Sequence, residues 1–167
     1  MPLPARVPDE AEPTDGQWGR SPRDTRPSGQ DAMCTVTHLV VGGAVGAWTG
    51  HGALAFALGV VSHAVLDAVP HYELDDFRLD LGITLVAVGG LVGWGYWLTP
   101  VFWGALGGVL PDVEILLWKL GLLRDTQMVF PSHSGLIRHG RRLSFRGALP
   151  QVLLIMGALG CLVVLRG

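Results

Sequence analysis

The sequence predicts an all-α integral membrane protein, a helical bundle of about five transmembrane helices, on three observations. Hydrophobic residues make up 49% of the 167 residues and charged ones only 16%, with a mean hydropathy of +0.40, a balance suited to a bilayer rather than to water. The apolar residues fall into five runs separated by short polar breaks. Eleven of the 12 cations sit in segments that a five-span topology places on one side.

Residues 1–33 come first and differ from all that follows. They are rich in Pro, Asp, Glu and Arg and nearly free of aliphatic side chains, so they cannot bury enough apolar surface to fold and are expected to form a disordered leader. No apolar stretch with a small-residue cleavage site precedes residue 36, which argues against a cleaved secretory signal, and Met33 is a candidate internal start. The remaining 34–167 form the predicted membrane-embedded domain.

The runs cover roughly 36–49, 53–70, 80–98, 101–118 and 148–165. A helix needs about 17 to 25 residues to cross the hydrocarbon core, so the first run is short and the others suffice. Glycines recur four apart at Gly42 and Gly46, Gly89 and Gly93, and Gly104 and Gly108, a spacing that lets helices approach closely in lipid. The leader, the 70–80 loop and a long loop at about 119–147 should share one face. The breaks at 50–52 and 99–100 should share the other with the C-terminus.

Arg6, Arg20, Arg23, Arg26, Arg78, Lys119, Arg124, Arg138, Arg141, Arg142 and Arg146 all lie on the first face, and Arg166 alone on the second. Positive loops stay in the cytoplasm, so the N-terminus and both loops are expected inside and the C-terminus outside. The group at 138–146 is a topology determinant suited to anionic headgroups. Membrane lipids are therefore the expected surroundings, and with a net charge of −2 no nucleic acid is expected.

Few ionisable residues interrupt the runs: His38 in the first, His63 and Asp67 in the second, Asp112 and Glu114 in the later half of the fourth. A charge in hydrocarbon costs about 2.5 to 3.5 kcal/mol on insertion scales, so such residues usually mark a function or a pairing partner. His63 and Asp67 in "SHAVLD" stand four apart, on one helical face, with His71 four further along beyond Pro70. His133 and His139, in "FPSHSGLIRHG", belong to the cytoplasmic loop. Five histidines and up to three carboxylates can thus converge at one end of the bundle.

Imidazole and carboxylate are the usual donors for zinc and other divalent first-row ions, and this many could hold one or two ions. A metal-bound water becomes a nucleophile near neutral pH, which is the chemistry of hydrolysis. A His–Asp pair can also simply lock helices together. His51 stands at the opposite end and reads as a solvated turn residue, and Asp75, Asp76 and Asp80 as a solvated rim. Ser132 and Ser134 lack the context of an acyl-transfer nucleophile. Cys34 and Cys161 form neither a disulfide framework nor a CxxC site.

In their order, "THLVVGGAVGA", "GVVSHAVLDAVPH", "GALGGVLPDVE" and "FPSHSGLIRHG" resemble the bacterial family of predicted membrane-bound metal-dependent hydrolases, over about residues 33–165. The HxxxD spacing is also similar to an element of the metal site in zinc-dependent phospholipases C. The resemblance implies His38, His63, Asp67 and Asp112 as metal ligands, with His133 beside them. The chain departs from many members in carrying "SHSGLIRH" where they have an "HRGxTHS" element.

Together these readings give a hydrolase of the bacterial inner membrane, acting on a phosphoester or lipid at its cytoplasmic face. Its ion would be zinc, manganese or iron, and Glu114 and His139 are the candidate catalytic groups, completing the shell or serving as general base. The alternatives are a non-enzymatic metal-binding or transport protein and a structural protein whose polar residues fix helix packing.

Overall fold

The computed structural model describes residues 34–167 except 75, 138 and 167, so the predicted leader lies outside the described residues. The described chain is mostly helical: α1 (Thr35–Ala47), α2 (Gly52–Ala68), α3 (Phe77–Gly93), α4 (Pro100–Val109), α5 (Asp112–Lys119) and α6 (Leu149–Arg166). Two short strands, β1 (His71–Tyr72) and β2 (Arg142–Leu143), pair in parallel, His71 opposite Arg142.

Four of the five predicted runs return as single helices, and the fourth does not. Pro111 supplies no backbone N–H and crowds the preceding turn, and the run breaks there into α4 and α5, bent by 45°. Asp112 and Glu114 therefore occupy the first turn of a new helix, not the later half of a continuous one. Among the described residues no single helix is long and apolar enough to cross a membrane, although α4 and α5 together have the length and composition of a broken span.

Helices α1, α2 and α4 form the centre, and glycine sets their separation. A Cβ on Gly104 would strike the carbonyl of Gly42, one on Gly108 that of His38, and one on Gly59 that of Gly104. Two of the three predicted glycine pairs thus sit at a helix contact. Gly89 and Gly93 on α3 face open space among the described residues. Leu39, Val40, Ala44, Leu91, Val101, Ala105 and Leu162 fill the apolar core between α1, α3, α4 and α6.

Contacts tie the helix ends together at both ends of the bundle. Thr35 N–H at the start of α1 donates to both oxygens of Asp80 at the start of α3, at 3.1 and 3.3 Å. The β1–β2 pair ties the segment after α2 to the one before α6. At the other end a Cβ on Gly46 would meet Pro100, and the Tyr96 hydroxyl donates to the Leu162 carbonyl at 2.8 Å.

Beside the buried apolar core, polar groups are buried and large apolar ones exposed. Buried side chains include His38, His63, Asp67, Glu73, Asp80 and Asp112, while Val61, Val65, Leu85, Val86, Leu153, Met156 and Val164 are each more than half exposed. Apolar surface of this extent marks contact with another molecule or with lipid.

Two expectations about the 70–80 loop need correction. Asp80 is buried, not part of a solvated rim, because the unpaired N–H at the start of α1 needs an acceptor there. Asp76 is exposed but caps α3, accepting from Arg78 N–H at 2.9 Å and Leu79 N–H at 3.4 Å. Asp75 lies outside the described residues.

Candidate metal centre

The close approach of α1, α2 and α4 does more than fill space. It brings the Gly108 carbonyl to 2.7 Å from His63 Nδ1 and stacks the His38 and His63 rings at 4.0 Å between centroids. His63 is fully buried. With the carbonyl accepting from Nδ1–H, the Nε2 lone pair is left free. That nitrogen lies 3.1 Å from Asp67 Oδ2 and 3.9 Å from Asp112 Oδ1, and no hydrogen bond satisfies it.

A histidine that donates one ring N–H to a backbone carbonyl and turns its other nitrogen toward carboxylates has the arrangement of a metal ligand with its outer partner. The remaining donors surround the same point. His38 Nε2 is 3.4 Å from Asp67 Oδ1, and His133 Nε2 is 3.7 Å from Asp67 Oδ2. His38, His63 and Asp67, and likewise His63, Asp112 and His133, can each present ligand atoms within 4.8 Å of one another. These groups could hold a metal ion.

All five sequence-predicted ligands are therefore brought together, from four different elements. His38 comes from α1, His63 and Asp67 from the last turns of α2, Asp112 from the first turn of α5, and His133 from the loop beyond it. Burial lowers the His133 imidazole below its ordinary value, so the ring is neutral near pH 7 and offers a lone pair.

Glu114 and His139 stand at the edge of the cluster. Glu114 accepts from the backbone N–H groups of Val129 and Phe130 at 3.1 and 3.2 Å and sits 3.4 Å from His133 Nδ1. It anchors the loop that carries His133, which is a positioning role. His139 places Nε2 3.9 Å from Asp67 Oδ1 and is one of the more open donors, its side chain 23% exposed.

Two residues, Ser132 and Glu73, join the cluster without having been assigned to it by the sequence, and His71, expected among its five histidines, lies there too. Ser132 is buried and donates to Asp67 Oδ2 at 2.5 Å. His71 and Glu73 meet at 3.0 Å beside Asp67 and His139. Ser132 was weighed only as a nucleophile, and its neighbour in sequence, His133, was the available signal. His51 is exposed and caps no helix through its side chain, in keeping with a turn residue.

No family model, curated protein or solved structure matches this chain.

Proposed function

We propose that this protein is a membrane-embedded metal-dependent hydrolase of phosphoesters, with lipid phosphoesters at the cytoplasmic face as its substrates. The observation that carries the reading is His63, buried, fixed through Nδ1 by a backbone carbonyl, with its other nitrogen unsatisfied among Asp67, Asp112 and His133. Such an expensive polar interior in an otherwise apolar bundle calls for a ligand of opposite charge.

A divalent ion, zinc, manganese or iron by the nitrogen and oxygen character of the donors, would there activate water and polarise a phosphoryl oxygen. The protein's own part is orientation. Ser132 holds Asp67, the Gly108 carbonyl holds His63, and Glu114 holds the His133 loop.

The membrane setting rests on the aliphatic exterior and on the sorting of cations. The 70–80 loop and the long loop before α6, which carry seven of the 12 cations, meet beside the His–Asp cluster, and positive loops favour the cytoplasm. A cavity of about 100 Å³ between α1, α2 and α6 supports an amphiphilic substrate. Its walls include the exposed Val69 and Leu154, and it reaches His38 and His71.

A transport path would need ionisable groups along the whole bundle, whereas the buried ones among the described residues gather at one end. Turnover of a soluble phosphodiester and of phospholipid vesicles by detergent-purified protein tests the reading. Activity should vanish with chelator, return with zinc or manganese, and fall in Asp67→Asn by more than the roughly 10- to 100-fold that loss of an outer partner costs. Metal-loaded protein inert toward every phosphoester would overturn it.

A further inference from the structure

We propose that the end of α2 holds a second divalent ion, between Asp67, His71 and His139, so that the Asp67 carboxylate is shared by two ions. This inference rests on reading the cluster as a metal centre and adds a site to it. The three residues can present ligand atoms within 4.8 Å of one another, and two of them take no part in the groups formed with His63.

The two oxygens of Asp67 face different partners. Oδ2 lies toward His63 at 3.1 Å and His133 at 3.7 Å, and Oδ1 toward His38 at 3.4 Å and His139 at 3.9 Å. Oδ1 thus stands between His38 of the first group and His139 of the second, the position of a carboxylate that could serve both.

His71 and His139, like His63, place Nδ1 against a backbone carbonyl. His71 Nδ1 lies 2.7 Å from the Val69 carbonyl and His139 Nδ1 3.3 Å from that of Gly140. A neutral ring donating through Nδ1 keeps its Nε2 lone pair for a metal. Glu73, buried, adds a carboxylate oxygen 3.0 Å from His71 Nε2 and 3.9 Å from His139 Nδ1.

The backbone holds these ligands in place. Gly140 N–H donates to the Asp67 carbonyl at 2.6 Å, and a Cβ on Gly140 would strike the Val69 carbonyl, so only glycine lets the loop lie this close to the end of α2. The pairing of His71 with Arg142 continues the same strap.

Two ions about 3.5 to 4 Å apart clamp the attacking and leaving oxygens of an in-line displacement at phosphorus, which is why paired sites recur in phosphatases and nucleases. A second ion is therefore in keeping with a phosphate-ester substrate.

The test is a Mn(II) titration of the full chain in detergent, read by metal content after desalting and by electron paramagnetic resonance. Wild type should retain two ions per chain with an exchange-coupled signal. His71→Ala and His139→Ala should retain one, uncoupled, with unchanged helical content, and His71→Gln, which preserves side-chain bulk, should behave like His71→Ala. A wild type that retains one ion, unaffected by either His71 variant but lost in His63→Ala, overturns the second site and leaves the first standing. A wild type that retains none overturns both.

Discussion

His63 and Asp67 could be read from the sequence because their partnership is local: four residues on a helix fix a common face before any tertiary contact is known. Ser132 and Asp80 could not, because what defines them lies 65 and 45 residues away, at Asp67 and Thr35. A serine or an aspartate in a polar loop looks solvated until the fold supplies a partner. Asp80 is testable at this scale. Asp80→Ala leaves the Thr35 N–H buried without its acceptor, which costs about 1–3 kcal/mol. Thermal unfolding in detergent should show a lower midpoint for Asp80→Ala, with Asp80→Asn, which keeps one acceptor oxygen, less affected. An unchanged midpoint would mean that this contact does not hold α1 to α3.

Among the elements, glycine spacing indicated where helices meet, but only in part. Gly104 and Gly108 lie against Gly42 and His38, whereas Gly89 and Gly93, equally spaced, meet nothing among the described residues. Spacing shows that a close approach is permitted, not that a neighbour is present. The break at Pro111 was missed for a related reason: the apolar run continues through it, and run length outweighed the missing donor. That break is what gives Asp112 a first-turn position facing α2. Gly104→Ala should force α1 away from α4 at a cost of about 1–3 kcal/mol, as overpacking does. Metal affinity should fall with it, since α1 carries His38, whose ring stacks on His63 at 4.0 Å. Gly89→Ala, facing open space, should leave both stability and affinity near wild type, measured by thermal unfolding and Mn(II) titration. Equal losses in the two variants would sink this account of the packing.

For the whole molecule, the ends of α1 and α3 meet through Thr35 with Asp80, and the β1–β2 pair joins the 70–80 loop to the long loop before α6. The leader, which carries four of the cations, lies outside the described residues. The helices are shorter than the runs suggested. The 13 residues of α1 rise only about 20 Å, against a hydrocarbon core of about 30 Å. Many apolar residues lie on the outside, and the buried ionisable ones gather at one end of the bundle. The sequence could indicate which residues would gather there but not their arrangement, because the ligands arrive on four elements and the angles between elements are set by packing. The account depends on that polar interior being built around an ion. The most direct test is the metal content of the full chain, extracted from membranes in detergent and desalted without chelator. At least one zinc, manganese or iron per chain, lost in a folded His63→Ala variant, is the predicted result; a folded protein free of metal, even after incubation with each ion, would contradict it.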